Sequence, residues 1–204
     1  LWRFTAMHHD ITARLLCCDF REDLRRGNVD IDITNDAHGQ KDCQRVTLLE
    51  TELVLVCSKD LAQSVRFQRV EDLLKCWLIQ VDETEYSWPT YFQQHKVPID
   101  VTQKLWAEVS SWYMGISAVK AGHGVFICPK IMIQEDLASG ELVQILANFP
   151  FNKSLSFYMY YQEYSPRIER IKAFEKWIID ELAGIAIDPF EQRCNRLESM
   201  LTQQ

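Results

Sequence analysis

Apolar runs of strand length alternate along this chain with segments whose apolar residues recur at helical spacing. That alternation is the strongest constraint on its fold. Residues 53–57 form one continuous apolar run, as a strand buried on both faces requires. Residues 78–81, 106–109, 125–128, 142–146 and 155–161 also read as strands. Helix signals fall between them. A short helix is expected over 70–75, and another over 88–94 with Pro89 in its first turn. A helix from 111 to 121 carries Trp112, Ile116 and Val119 on one stripe and stops at Gly122. A further helix over 131–139 stops at Gly140. Ser165 and Pro166 open a long helix with Ile168, Ile171, Phe174, Ile178 and Leu182 on one face. Nearer the start, Ile11, Ala13 and Leu15 share one face of a strand over 11–16. Asp19 and Glu22 have the form of a helix cap, Gly27 stops that helix, and Val29, Ile31 and Ile33 mark a second strand. Residues 37–44 read as a loop, and 190–201 as a terminal helix. The pattern predicts an α/β chain with largely parallel strands.

The charge balance narrows the function. The 204 residues carry a net charge of -7, which disfavours a grip on nucleic-acid phosphates by this chain alone. Arg21, Arg25 and Arg26 sit beside Glu22 and Asp23 and read as a solvated face. The seven cysteines are odd in number and show no repeated spacing, so a reducing cytoplasm is expected, not a disulfide framework. No apolar run reaches the roughly 18 residues of a membrane span, and no signal peptide opens the chain. The first residue is Leu1 rather than Met, so a fragment or processed form is expected.

Catalytic and metal signatures are not found. The chain has no Gly-x-Ser-x-Gly and no His-Glu-x-x-His. His8, His9 and Asp10 read as a surface turn, and Gly122-His123-Gly124 follows a helix where a phosphate loop would precede one. Asp30 and Asp32 share a strand face, where solvent relieves their repulsion. No enzyme activity, cofactor or metal is expected.

Several segments resemble the effector-binding domain of LysR-type transcriptional regulators. Leu1-Trp2-Arg3-Phe4 followed by His9-Asp10-Ile11 resembles the end of that domain's first helix and entry to its second strand. Residues 23–33 resemble its short helix, glycine and following strand, and residues 49–58 its next strand. Ser110-Ser111, then Ala121-Gly122-His123-Gly124-Val125 and Pro129, resembles its central helix and the strand after it. Residues 138–143 and 174–178 resemble later helix segments, so the match covers about 1–182. The Trp88 region and the serine pair look most like the glycine-cleavage-activator branch. Of the two acidic residues common before those serines, only Glu108 is present; Val109 takes the other place.

The resemblance implies a two-lobed fold of the periplasmic-binding-protein type with two crossover connections and a ligand cleft between lobes. Lobe one would hold 1–62 and 155–182, lobe two 63–154, and a tail 183–204. Lobe one would lack its first strand, and the N-terminal winged helix-turn-helix would be absent. The implied role is sensing a small organic anion or amino-acid-like effector in a homodimer or homotetramer. DNA would be reached only through the missing domain, and no membrane is involved. A stand-alone solute-binding protein of the same fold is the alternative.

The candidate effector-binding residues are Ser110, Ser111, Cys17, Cys18, Asn35 and Trp88. The serines end a strand and open a helix, where hydroxyls and unpaired N–H groups favour a carboxylate or phosphate; simple helix capping is the other reading. Cys17 and Cys18 end the strand 11–16, as cleft lining, a redox sensor or buried thiols. Asn35 follows the strand 29–33, as a cleft residue or an ordinary loop residue. Trp88, Tyr86 or Trp112 would supply apolar walls.

Overall fold

The structure, a computed structural model, describes residues 1–17, 23–81, 85–98 and 106–186. Cys18, the expected cap at Asp19 and Glu22, and the expected helix over 190–201 lie outside the described residues. The chain divides into two compact units, Glu50–Leu155 and the remainder on either side of it. Two strands pass from one unit to the other: β2 (Gln44–Ser58) and β7 (Ser154–Tyr161).

The unit Glu50–Leu155 is built on the end of β2 with β3 (Leu78–Val81), β4 (Trp106–Val109), β5 (Val125–Pro129) and β6 (Leu142–Ile145). β3 pairs in parallel with β4 and with β5, so it lies between them. β2 pairs antiparallel with β5 and with β6. The pairing is therefore mixed rather than largely parallel, because the long β2 runs against both of its partners here. Val54, Val56, Ile79, Val81, Phe126 and Cys128 face one core, closed by Ile116 and Val119 of α4 (Trp112–Lys120) and by Ile133 and Leu142. Leu53, Leu55 and Cys57 alternate with the first set and point to the other face, where they too are buried. Burial on both faces is why 53–57 has no polar member. α2 (Lys59–Val65) follows β2 and is capped by the Ser58 hydroxyl. The segment Val70–Lys75 is a 3-10 helix held by Asp72, whose carboxylate accepts from the Gln68 and Arg69 amides at 2.9 Å each and from Lys75 Nζ at 2.8 Å. α3 (Trp88–Gln94) buries Trp88, Tyr91 and Phe92. Lys130–Ile133 is a 3-10 turn leading into α5 (Gln134–Ser139), which ends on Gly140 at φ 76°.

The other unit pairs β1 (Ile31–Thr34) antiparallel with β7, which in turn neighbours β2. Met159, Tyr161 and Ile171 are its core, joined by Ile31, Val46, Leu48, Ile168, Phe174 and Ile178. α6 (Ile168–Ala186) supplies the helical side of that core. Phe4 of α1 (Trp2–Met7) is buried against the rings of Phe174 and Trp177. Arg167 on α6's approach pairs with Asp30 at 3.0 Å, which answers the charge on the Asp30–Asp32 strand face.

Residues 11–17 depart from expectation. They form no strand, and all but Ile11 are exposed, Leu15 at 75%. An alternating pattern makes a strand only when a neighbour supplies ladder partners, and none of the described residues pairs with this segment.

Candidate functional site

The geometry at 106–114 follows from local sequence. β4 carries the chain to Val109 in register with Val81 of β3, so two parallel strands end side by side. Ser110 and Ser111 come next. Ser111 takes an extended backbone, φ -148° and ψ 153°, and its hydroxyl accepts from Met114 N at 3.3 Å. It is a helix cap of the usual kind. The first amides of a helix have no ladder partner. Met114 is capped in this way, and the amides of Trp112 and Tyr113 precede it at the positive end of α4. Ser110 is exposed, and its hydroxyl donates to Met114 Sδ at 3.5 Å.

α4 is fixed firmly to the sheet behind it. Gly115 lets the helix approach β5 so closely that a Cβ there would lie 2.2 Å from the Phe126 ring. At the far end, Lys120 reaches Asp136 at 2.7 Å and Glu141 at 3.1 Å, and the Asp136 contact above all holds its ammonium above the usual lysine range. The Tyr86 and Trp112 rings are 6.4 Å apart and half-buried beside the helix start. Lys153 Nζ lies 5.8 Å from the Tyr86 ring centre and pairs with Glu85 at 2.9 Å. That lysine holds the Glu85 carboxyl below the usual glutamate range.

The remaining expected residues are placed less favourably. Trp88 is fully buried, with Nε1 donating to the Ile79 carbonyl at 2.8 Å and its ring against Tyr91 and Phe92. Its proposed place as a ligand wall is corrected: it is a core residue, and its one polar atom is already satisfied by β3. Cys17 is a free, exposed thiol in the unpaired segment 11–17 and not at a strand end. Asn35 is exposed in the turn after β1. Cys17 and Asn35 belong to one compact unit, and Ser110, Ser111 and Trp88 to the other.

Gln80, which the sequence does not single out, pairs with Glu108, the acidic residue ahead of the serines. Gln80 of β3 and Glu108 of β4 are register partners, and Gln80 Nε2 donates to Glu108 Oε1 at 2.8 Å. Parallel register places their side chains on one face of the sheet, and Ser110 follows Glu108 by two residues, at the bend between β4 and α4. Spacing within one strand could not have found Gln80, which is 28 positions away.

Other polar clusters are quieter. An open surface hollow of about 440 Å³, lined by Ser58, Asp60, Leu61, Ser64, Lys120, Ala121 and Gly122, lies at the opposite end of α4 from the serines. Among the described residues, no group of three or more His, Cys, Asp or Glu side chains is arranged to hold a metal. Cys57 and Cys128 are buried free thiols, and burial pushes Cys57 up to about 12. No described helix is long and apolar enough to cross a membrane.

This architecture, an open mixed sheet with helices against it, is the type-2 periplasmic-binding-protein-like fold. It superposes on the effector domain of the regulator AmpR from Pseudomonas aeruginosa with a TM-score of 0.72 at 22% identity, covering 91% of this chain and 88% of that one. The AmpR effector-binding domain from Citrobacter freundii gives 0.74 at 21% identity, covering 90% and 89%. The regulatory domain of CrgA, a LysR-type regulator from Neisseria meningitidis, gives 0.71 at 17%, covering 89% of each.

The family model described as LysR substrate binding domain matches residues 1–183, and the chain belongs to that family. The HTH-type transcriptional regulator PerR of Escherichia coli K12 is 26% identical over 183 residues, 89% of this chain and 60% of that protein. The glycine cleavage system transcriptional activator homolog of Haemophilus influenzae Rd is 25% identical over 185 residues, with the same coverage. The chain thus spans about 60% of the length of these curated relatives. The family is one of transcriptional regulators, and this region is its effector-binding part.

Proposed function

We propose that this chain senses a small carboxylate-bearing effector, an organic anion or an amino-acid-like molecule, at the start of α4, within a regulator that acts on DNA through a separate winged-helix domain. The observation that carries this reading is the Ser110–Ser111 turn. It joins an exposed hydroxyl, the first amides of a helix and a half-buried aromatic pair at the ends of two parallel strands. Ligands of open α/β sheets sit beyond such strand ends. Asn35 and Cys17 remain separate candidates for effector contact. The protein works as a homodimer or homotetramer in the cytoplasm, and its domain is a sensor with no catalytic role. Ligand binding alters output only by its differential affinity for two conformations.

Calorimetric titration with small carboxylates and amino acids tests the site. Replacing both serines by Ala is expected to weaken binding by roughly 1–3 kcal/mol as direct hydrogen bonds are lost. Ser111→Asp separates the two jobs of that residue, because it keeps the cap and repels an anion. Expected is a fold as stable as wild type with binding lost. Unchanged affinity in both variants would rule the turn out as the site.

A further inference from the structure

Glu108 and Gln80 form a pair that packing alone does not account for. Glu108 is exposed at the edge strand β4, and its Oε1 accepts from Gln80 Nε2 at 2.8 Å. The opposite rotation of the Gln80 amide would set its carbonyl against the carboxylate, so the donor orientation is fixed by electrostatics. The consequence is that Gln80 Oε1 is turned inward, out of contact with solvent and with no hydrogen-bond partner among the described residues. One hydrogen bond is gained at an exposed carboxylate, where water competes, and one buried carbonyl loses its partner. A buried orphan acceptor costs more than an exposed hydrogen bond returns. What the pair does achieve is to hold one oxygen of Glu108, leaving the other for something outside, two residues before the bend at Ser110.

Resting on the reading of the serine turn as the effector site, we infer that Glu108 is the subsite for a cationic nitrogen of the effector, with Gln80 as its positioning residue. The ligand class is therefore narrower than an organic anion. It carries an ammonium group as well as a carboxylate, the ammonium meeting Glu108 and the Ser110 hydroxyl, the carboxylate meeting the amides at the start of α4. An amino acid has that charge layout. A simple dicarboxylate would meet repulsion at Glu108.

The test is calorimetric titration of the intact chain with proteinogenic amino acids, each beside the carboxylic acid lacking its amino group. Wild type is expected to bind at least one amino acid roughly tenfold or more tighter than its des-amino partner, the size of a lost charge-assisted hydrogen bond. Glu108→Gln should erase that ratio by weakening the amino acid while leaving the des-amino acid as it was. Gln80→Leu should reduce the ratio in the same direction. A merely structural role for Gln80 would weaken both members equally, and that result overturns its assignment. If Glu108→Gln leaves the ratio intact while Ser111→Asp abolishes binding of both members, the ammonium subsite is wrong and the serine site survives. Equal binding of both members to wild type also overturns the subsite. Binding unaffected by any of these changes, or no binding by any probe, overturns both readings.

Discussion

Replacing Gly115 by Ala should destabilise the protein, against the normal helix preference. In a solvent-exposed helix interior the change gains about 0.8–1 kcal/mol, since glycine is the poorer helix former. Gly115 is buried, and its ideal Cβ would lie 2.2, 2.5 and 2.6 Å from three atoms of the Phe126 ring. Ordinary carbon contacts lie near 3.5–4.0 Å, so more than about 1 Å of displacement is required. Phe126 has no exposed surface and its ring is 5.9 Å from that of Trp112, so it cannot swing away. Overpacking of this kind costs about 1–3 kcal/mol, and a gap this short belongs at the upper end. The net expectation is a loss of about 1–2 kcal/mol after subtracting the helix gain. Gly184 of α6 is the matched control, because it is exposed and a Cβ there meets nothing within 4 Å. Gly184→Ala should stabilise by a few tenths to about 1 kcal/mol. Urea unfolding followed by far-UV dichroism measures both. A Gly115→Ala midpoint at or above wild type, with Gly184→Ala raised as expected, would show that α4 does not pack on Phe126 as described.

Trp88→Phe should cost about 1–3 kcal/mol, because the Ile79 carbonyl loses the indole donor. Effector affinity of the folded variant should stay at the wild-type level; a selective loss of binding with stability intact would return Trp88 to the ligand site. Asp72 should make the protein acid-sensitive. Its carboxyl is held well below the usual 3.8 by the Lys75 ammonium and by the Gln68 and Arg69 amides. A depressed carboxyl stabilises the fold fully above its unfolded value and less as pH falls below it. The gap in urea midpoint between wild type and Asp72→Asn should therefore be large at neutral pH and shrink below about pH 4; a constant gap would refute the assignment. In hydrogen exchange, amides at 12–17 should exchange far faster than those at 125–128, since only the second group lies in a buried ladder. Equal protection of the two stretches would count against the unpaired state of 11–17.

What could be read from the sequence follows how local its causes are. β3, β5 and α4 were legible because each is fixed by its own residues: apolar runs buried on both faces, a serine cap, a helical stripe. The first part of β2 was not, because Gln44, Arg45 and Glu50 are exposed and give no burial pattern. It is a strand through its neighbour β7 and through continuity with the buried half. Segment 11–17 fails in the opposite direction. Its alternation is correct for a strand, but ladder partners are a property of other residues. Trp88 was misplaced for a related reason. An aromatic residue near a helix start suits a pocket wall and a core equally, and only the Ile79 carbonyl 9 positions back decides between them. Gln80 is the extreme case. Alone it is an ordinary polar residue in a strand, and its pairing with Glu108 exists only through the parallel register of β3 and β4. The serine turn is therefore visible as a motif, and Glu108 as the acidic residue ahead of it, while the partner that holds Glu108 becomes visible only once β3 and β4 are aligned.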